Sequence, residues 1–375
     1  MAGLYVHIPF CKQACFYCDF HFSTSQYLIE GLVKALCLEL EMQKKYLESE
    51  PLDTIYFGGG TPSLLSKHHM QKILDAIHKN FATKNPEVTL EANPDDLSKE
   101  NLAMLKETGI NRLSIGIQSF NDAILKFLNR AHSSAEAFQC LELARDAGFN
   151  NISIDLIYAI PGQDDSLLKS NIEKAVAMAP HHISAYSLTI EEKTVFGHQL
   201  KKGIFPVQTE ETAATQMEIL MDGLGKAGYD QYEISNFCKP GFYSRHNSSY
   251  WQQKKYLGIG PSAHSYNGLS RQSNVNNNPL YIQSITQSKI PCQVEVLSRA
   301  NKINEYVFTT LRTTWGCHLT YLTTQFDYDL LKENHQAIST LLKHQFILVE
   351  NDILKLTQKG KFLADKIAAD LFVKE

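Results

Sequence analysis

The pattern that most constrains the fold is a regular alternation of short β-rich runs and longer helical patterns across residues 4–188. Apolar and β-branched runs predict strands at residues 4–8, 53–57, 88–92, 112–117, 151–157 and 183–188. Apolar residues at helical spacing predict helices at residues 27–47, 66–81, 98–108, 121–128, 134–147 and 166–178. Such serial β/α units predict an α/β protein with a parallel sheet and right-handed crossovers. The pattern fits an incomplete (β/α)6 barrel, and it equally fits an open, doubly wound sheet.

The chain after residue 189 follows a different pattern. A helix is predicted at 210–228 and a short strand region at 229–237, whereas the Asn- and Ser-rich stretch 267–293 predicts a loop with little regular structure. From residue 300 onward, helical patterns precede a hairpin that turns near Asn351 and Asp352, and a final helix follows. The predicted divisions are a barrel at 1–230, a linking region at 231–299, and an α+β, winged-helix-like C-terminal module at 300–375.

Composition and charge argue against a nucleic-acid-binding protein and against a membrane-spanning one. Of the 375 residues, 36 are basic and 40 are acidic, and from Lys302 to the end the two kinds number nine each. A nucleic-acid-binding face needs a basic excess, so no nucleic-acid partner is expected. No signal peptide precedes Cys11, and no run reaches the roughly 18 apolar residues of a membrane-spanning helix. We expect a cytoplasmic protein with reduced thiols and no membrane insertion.

A cysteine cluster near the N-terminus indicates a metal centre. Cys11, Cys15 and Cys18 follow a Cys-x3-Cys-x2-Cys spacing, which lets three thiolates converge in one short loop. A structural zinc site and a ferredoxin cluster each take four protein ligands, so three thiolates leave one metal position open to a substrate. The alternative is a zinc knuckle whose fourth ligand is His7 or His21, or simply reduced thiols near a core.

The run from Tyr5 to Cys11 (YVHIPFC), followed by Cys15 and Cys18, resembles the opening of the radical S-adenosylmethionine (SAM) enzymes. The similarity extends over essentially the whole chain and is to the branch that contains oxygen-independent coproporphyrinogen III dehydrogenase and the HemW-type haem chaperones. It implies a partial (β/α)6 radical SAM barrel. It also implies a [4Fe–4S] cluster on the three cysteines, SAM on the open iron, and an electron donor.

A glycine run ends the second predicted strand. Gly58, Gly59 and Gly60 precede Thr61 and Pro62, and glycines let the backbone approach a ligand closely. A plain strand-to-helix turn is the alternative, and a P-loop is not indicated because no Gly-Lys-Ser/Thr follows. The resemblance implies that Gly59, Gly60 and Thr61 contact the methionyl amino group of SAM.

Polar residues recur where barrel strands are expected to end or shortly after, a place where loops build active sites. They are Glu91, Gln118, Arg130 and Asp155, and Tyr5 lies in the first strand. Charged groups within apolar strands are costly without partners, so structural salt bridges are one reading. The resemblance implies that these residues bind SAM through its ribose hydroxyls and carboxylate.

Two departures separate the chain from the dehydrogenase. The dehydrogenase has a further cysteine two positions after the third one, where this chain has Phe20. It also has a longer segment before the cysteine motif, and this chain has almost none. Both features argue against porphyrinogen decarboxylation, and neither removes radical formation from SAM.

The run from His246 to Trp251 (HNSSYW) is similar to the HNxxYW motif of the HemW haem chaperones. Imidazole is a common axial haem ligand, and Tyr250 and Trp251 offer flat apolar faces to a macrocycle. We therefore predict His246 as a haem ligand, with a purely structural histidine as the alternative. His264 is a weaker candidate, more simply explained as structural.

The combined prediction is a haem chaperone that binds haem, carries a SAM-ligated [4Fe–4S] cluster and delivers haem to acceptor proteins such as respiratory enzymes. Any membrane contact is expected to be peripheral, through an acceptor. The alternatives are the oxygen-independent coproporphyrinogen III dehydrogenase and a zinc-stabilised barrel of unrelated function.

Overall fold

The computed structural model describes residues 2–206 and 208–373 and is built on one large, mostly parallel sheet. Its first strands pair with one another in sequence order, all parallel. They are β1 (Ala2–Ile8), β2 (Leu52–Gly59), β3 (Thr83–Ala92), β4 (Arg112–Gln118), β5 (Ile152–Tyr158) and β6 (His182–Ser187). The predicted α/β alternation is confirmed.

A helix or pair of helices connects each strand to the next, as the periodicity predicts. They are α1 (Ile29–Met42), α2 (Lys67–Asn80), α3 (Lys99–Glu107), α4 (Asp122–Phe127), α5 (Ser134–Asp146) and α6 (Asp165–Ala177). Side-chain caps fix several starts: Ser66 and Ser98 accept backbone hydrogen bonds, and Ser133 forms a capping box with Glu136. Helix α1 is shorter than predicted because the chain turns after Met42, with positive φ at Glu48 and Ser49.

The sheet stays open between its first and sixth strands. Across the described ranges, β1 pairs with β2 and with a later strand but not with β6, and β6 pairs on its far side with a short antiparallel strand. The six units therefore form an incomplete barrel rather than a closed one.

The chain from 189 to 299 contributes more regular structure than its composition suggests. Its elements are α7 (Val195–Lys201), α8 (Glu210–Lys226), β7 (Asp230–Glu233), β8 (Asn236–Cys238), α9 (Arg245–Trp251), β9 (Tyr256–Ile259), β10 (His264–Tyr266), β11 (Ser270–Asn274), α10 (Asn278–Thr286) and β12 (Cys292–Val296). Strand β9 pairs parallel with β1, and β10, β11 and β12 extend the same sheet. The prediction of an irregular loop at 267–293 is wrong.

The reason for that error is the position of these elements at the edge of the sheet. Strand β12 ends the sheet, and Val294 and Val296 are 62% and 80% exposed, so its pairing depends on backbone hydrogen bonds. Helix α10 buries Tyr281 and Ile285 against the main core and exposes most of its other residues. Edge elements of this kind lack the apolar periodicity on which a sequence prediction depends.

A buried carboxylate joins this edge region to the first helix. Glu39 of α1 accepts hydrogen bonds from the backbone of Gly260 (2.8 Å), the Asn274 amide (2.8 Å) and the Tyr281 hydroxyl (2.5 Å). Burial raises the pKa of Glu39, against the effect of these hydrogen bonds. The region that follows β8 is therefore tied to the barrel by polar contacts as well as by the sheet.

The C-terminal residues form a separate core beside the sheet. Their elements are α11 (Arg299–Leu311), β13 (Cys317–His318), α12 (Leu319–Phe326), α13 (Leu330–Glu333), α14 (His335–Lys343), β14 (Ile347–Glu350), β15 (Ile353–Leu356), α15 (Gln358–Lys361) and α16 (Ala364–Asp370). The predicted hairpin is confirmed, with Asn351 and Asp352 both at positive φ in its turn. None of the helices in the described ranges is long and apolar enough to cross a membrane.

Candidate functional site

The cysteine loop leaves β1 at a point that is fixed by the backbone of β2. Gly60 N donates to Ile8 O (2.9 Å), and Thr61 N donates to Phe10 O (2.7 Å). Within the loop, Cys11 N donates to Ser23 O (3.0 Å). The start of the loop is thus held by a neighbouring strand end and by its own return segment.

The glycine run makes this close approach possible. A Cβ atom at Gly60 would lie 2.6 Å from Phe10 O, and one at Gly59 would lie 2.4 Å from the His7 ring. Gly59 also has a φ of +104°, which side-chain-bearing residues rarely adopt. These glycines are therefore needed to seat the cysteine loop, whatever contact they also make with a ligand.

The three cysteines are free thiols that line one cavity of about 620 Å³. Burial raises the pKa of Cys11, and burial raises the pKa of Cys18 to about 12. Arg130 Nη1 lies 3.2 Å from Cys15 Sγ and places a positive charge beside the group. A metal centre would replace the thiol protons, since the thiolate is the ligand form.

The arrangement favours a cluster over a single zinc ion. In the described part of the chain, no three or more His, Cys, Asp or Glu side chains converge so as to hold a single metal ion. Both ring nitrogens of His7 are engaged, with the Tyr5 hydroxyl and with His21 O, each at 3.0 Å. The Nε2 atom of His21 lies 2.7 Å from Asn278 Oδ1. A [4Fe–4S] cluster binds each thiolate through a different iron, so it does not require the thiolates to converge on one point.

All the site residues predicted from the sequence line this same cavity. They are Tyr5, Cys11, Cys15, Cys18, Gly59, Gly60, Thr61, Glu91, Gln118, Arg130, Asp155 and His246. Most come from the carboxyl ends of neighbouring parallel strands, which open onto one edge of a barrel. Their roles toward a ligand remain predictions.

Two half-buried carboxyl groups, those of Glu91 and Asp155, line the cavity. Glu91 accepts hydrogen bonds from the Tyr56 hydroxyl (2.8 Å) and from Gly59 N (3.0 Å), and burial raises its pKa to about 7. Burial also raises the pKa of Asp155 to about 6, and a hydrogen bond with Ser184 opposes that shift. Neither carboxylate forms an ion pair among the described residues. The structural salt-bridge reading therefore does not hold for them.

Arg130 connects the cavity wall to the cysteine loop. Its Nη2 atom donates to Asn93 Oδ1 (2.6 Å) and to Gly116 O (2.8 Å), while Nη1 faces Cys15. Its Nε atom is buried without a hydrogen-bond partner among the described residues, as is Nε of Arg112. A polar or anionic ligand group in the cavity would satisfy such donors.

His246 lines the cavity and is 2% exposed. Its Nδ1 atom lies 2.7 Å from Thr54 Oγ1, and its Nε2 atom lies 2.8 Å from the Tyr250 hydroxyl. Burial lowers the pKa of His246 to about 3, so the ring is neutral. In this conformation, iron ligation by His246 would require one of these hydrogen bonds to break.

Several cavity residues were missed in the sequence. Asn93 follows β3 directly and holds Arg130, so the strand-end rule that found Glu91 would also have found it. Arg112 is a 2% exposed arginine at the start of β4, and its charge lowers the pKa of Asp155. Arg112 lies at the N-terminal end of its strand, so the rule that strand C-terminal ends carry site residues does not identify it.

Phe20 stands at the mouth of the cavity. It is 71% exposed and follows the last cluster cysteine by two residues. Its side chain also lines a neighbouring cavity, so its exposed ring faces two spaces.

Comparison with known proteins assigns the chain to a family. Residues 5–175 match the Radical SAM superfamily. The chain is 37% identical to a protein named Heme chaperone HemW from Lactococcus lactis, with 97% of each chain covered. It is also 37% identical to Heme chaperone HemW of Bacillus subtilis, with 98% of each covered, and 32% identical to that of Mycobacterium tuberculosis.

Among solved structures, the coproporphyrinogen III oxidase HemN from Escherichia coli, described as a radical SAM enzyme, superimposes with a TM-score of 0.86. The match covers 99% of this chain and 90% of that one at 23% sequence identity, so it shows the fold. Membership in the superfamily implies a [4Fe–4S] cluster and SAM. The chain belongs to the radical SAM superfamily and, within it, to the HemW family.

Proposed function

We propose that this protein is a haem chaperone that binds haem, carries a SAM-ligated [4Fe–4S] cluster and transfers haem to acceptor haem proteins. The observation that carries the proposal is the similarity to proteins named Heme chaperone HemW over nearly the whole of both chains. The similarity to HemN, at 23% identity, bears on the fold alone. Respiratory enzymes are the proposed acceptors, and an electron donor would serve the cluster.

The cysteine cavity supports the cluster and SAM part of the proposal. Three thiols, an arginine with an unpartnered Nε atom and two half-buried carboxyl groups line a space of about 620 Å³, which lies within the usual range for small-molecule sites. Cys11, Cys15 and Cys18 would hold the cluster. When bound, the cluster supplies an electron and an open iron position to SAM.

The residues of this chain would then orient SAM by pairing each of its charged groups with a side chain of opposite charge. Arg130 offers a cation for the SAM carboxylate, and the carboxyl groups of Glu91 and Asp155 can accept from ribose hydroxyls or from the amino group. Glu91 already accepts hydrogen bonds from the Tyr56 hydroxyl and from Gly59 N. Only the remaining lone pairs of its carboxylate oxygens can therefore accept hydrogen bonds from SAM. Tyr5, Gln118 and Thr61 complete the polar wall.

Phe20 supports the chaperone over the dehydrogenase reading. The resemblance places a further cysteine at this position in the dehydrogenase, and this chain instead exposes an aromatic ring at the cavity mouth. An aromatic ring offers a flat face to a porphyrin.

The test uses the full chain, reconstituted with iron and sulfide under anaerobic conditions. One arm titrates haem and then adds a haem-free acceptor protein, and the expected result is haem binding followed by transfer. The second arm supplies reductant, SAM and coproporphyrinogen III. Sustained formation of protoporphyrinogen in that arm, or an absence of haem binding in the first, would overturn the proposal.

A further inference from the structure

A second cavity of about 520 Å³ is bordered by the end of the HNSSYW helix α9, at Tyr250 and Trp251. The end of β1, the cysteine loop, β9, β10, β11 and one residue of α11 form its walls. Tyr5, Phe20 and Tyr250 line both this cavity and the cysteine cavity. The second cavity is therefore a neighbour of the cluster site but has its own lining.

One wall of the second cavity is aromatic. Tyr250, Tyr256 and Tyr266 form a small apolar cluster with Leu297. The ring centroids of Tyr250 and Tyr256 are 4.6 Å apart, and those of Tyr256 and Tyr266 are 6.3 Å apart. Trp251 also lines the space, and its buried Nε1 atom has no hydrogen-bond partner among the described residues. Such a wall suits a large, flat, apolar ligand.

A histidine with free ring nitrogens faces the same space. His264 is the first residue of β10, and its imidazole makes no hydrogen bond among the described residues. Burial, followed by the charge of Arg271, lowers the pKa of His264, which favours the neutral ring that ligates metals. The other histidines of the two cavities are engaged: both nitrogens of His7 and His246 and the Nε2 atom of His21 have partners.

The position of His264 is fixed by the backbone. A Cβ atom at Gly258 would lie 2.0 Å from His264 O, so the glycine lets β10 lie against β9. Ser265 Oγ accepts from Gly258 N at 2.9 Å and holds the same contact. The turn before it contains Ser262 at a φ of +62°, a conformation that serine rarely adopts. A ligand that binds His264 would therefore meet a residue whose backbone is already in place.

Charge at the rim suits an anionic ligand. Lys254 is exposed, lines the cavity and makes no ion pair within the described ranges. Arg271 also lines it, but its guanidinium is committed to Glu305 by two hydrogen bonds of 2.7 and 2.8 Å. Asp19 is an opposing acid on the cysteine-loop side. Lys254 is thus the free cation that a carboxylate substituent can pair with.

We propose that haem binds in this second cavity, with His264 as its axial ligand, the tyrosine wall against its macrocycle and Lys254 beside a propionate. The inference rests on the proposed haem-chaperone function and places the haem next to, rather than inside, the cluster cavity. In this arrangement, His246 is a positioning residue, because its ring holds the Tyr250 hydroxyl at 2.8 Å and so orients the shared wall.

The experiment titrates ferric haem into the cluster-loaded full chain and follows absorbance and electron paramagnetic resonance. The variants are His264→Ala, His246→Gln and Lys254→Ala, with His68→Ala as the control, since His68 is an exposed histidine on α2, remote from the second cavity. We expect His264→Ala to lose the imidazole-ligated spectrum and to bind haem on the order of tenfold to a hundredfold more weakly. Added imidazole should restore the spectrum. His246→Gln should keep the imidazole-ligated spectrum. Lys254→Ala should weaken haem binding and leave that spectrum unchanged.

The outcomes separate the two proposals. If His264→Ala keeps the wild-type spectrum and affinity while His246→Gln loses them, haem binds through His246 and this inference fails, although the chaperone function stands. If the wild-type chain binds no haem while its iron and sulfide content is intact, the chaperone function itself fails. Iron and sulfide analysis of each variant confirms that the fold around the cluster is retained.

Discussion

Glu91 carries a carboxyl group that is enclosed by the sheet, beside Tyr56 and Gly59. Burial raises its pKa from 4.5 to about 7, so between these values the folded protein holds a proton that the unfolded chain has released. The native state then binds more protons, and the free energy of unfolding falls as the pH rises through this window. A shift of this size corresponds to on the order of 3 kcal/mol.

We therefore expect Glu91→Gln to remove this part of the pH dependence. The measurement is urea unfolding of the cluster-free protein at about pH 5 and about pH 8, with the exposed Glu41→Gln of α1 as the control. Wild type and control should lose stability between the two values by more than Glu91→Gln does. An identical pH dependence in all the proteins would show that the Glu91 carboxyl ionises freely in the fold.

At this scale the sequence predicted which residues meet, but not how they are bonded. Glu91 and Asp155 could be found because carboxyl ends of parallel strands share one edge. The hydrogen bonds of Glu91 to Tyr56 and Gly59 could not, since they depend on how neighbouring strands align. The contact of His246 with Thr54 was hidden for the same reason, because Thr54 lies 192 residues away in the chain.

The turn after β2 is the element on which the cysteine loop depends. We expect Gly60→Ala to drive a methyl group into Phe10 O and to break the hydrogen bond to Ile8 O. The expected cost is about 1–3 kcal/mol, together with reduced iron and sulfide after reconstitution. Gly225→Ala is the matched control, because no atom lies within 4 Å of its added Cβ and α8 favours alanine.

Urea unfolding and metal analysis of both glycine variants provide the measurement. Gly225→Ala should leave cluster loading unchanged and stability equal or slightly higher. Full cluster loading and wild-type stability in Gly60→Ala would mean that the loop does not rely on this strand end.

The junction between α1 and the edge region predicts a second effect. Glu39→Ala leaves the Gly260 amide and the Tyr281 hydroxyl without their acceptor, and it leaves Asn274 Nδ2 with Gly260 O alone. We expect a loss on the order of 3 kcal/mol or more, because each buried unpaired donor carries its own cost. Glu41→Ala, on the exposed side of the same helix, should change the unfolding free energy by less than about 0.5 kcal/mol. Equal effects for the two variants would contradict the assigned role of Glu39.

Prediction of the elements was successful where periodicity reflects burial and unsuccessful where it does not. The strands of the parallel sheet are buried on both faces and could be recognised as apolar runs. Strand β11 and helix α10 are held by the sheet edge and by the Glu39 contacts, so their polar sequence resembles a loop. Helix α7 was also missed, because it is a short helix of seven residues in a polar stretch.

At the scale of the whole molecule, the core of the large sheet meets the C-terminal core at residues 232–234, among other contacts. Thr314 N donates to Tyr232 O (3.0 Å), Ile234 N donates to Arg312 O (3.1 Å), and the Ile234 side chain packs against both cores. A second link joins Arg271 of β11 to Glu305 of α11 beside the second cavity. Of the C-terminal residues that the structure describes, Thr309 of α11 lines the proposed haem site.

This link predicts a change in haem exchange. Glu305→Gln removes the charge that pairs with Arg271, a half-exposed pair worth roughly 1 kcal/mol. Because the freed Arg271 guanidinium lines the second cavity, a haem propionate bound there gains a cationic partner, and release of haem to a haem-free scavenger protein should become about fivefold slower. Glu192→Gln, which breaks the exposed pair with Lys201 far from the cavity, should leave release unchanged. Stopped-flow absorbance measures the release rate of each variant. Equal rates for the wild type and Glu305→Gln would place the haem away from Arg271.

The wall shared by the two cavities has a thermodynamic consequence. Tyr5, Phe20 and Tyr250 each face both spaces, so a ligand that moves any of them alters the other site. Free-energy linkage is reciprocal: if SAM changes the haem dissociation constant by some factor, haem changes the SAM dissociation constant by the same factor. In a chain built in this way, binding of a ligand in one cavity can promote release of the ligand from the other.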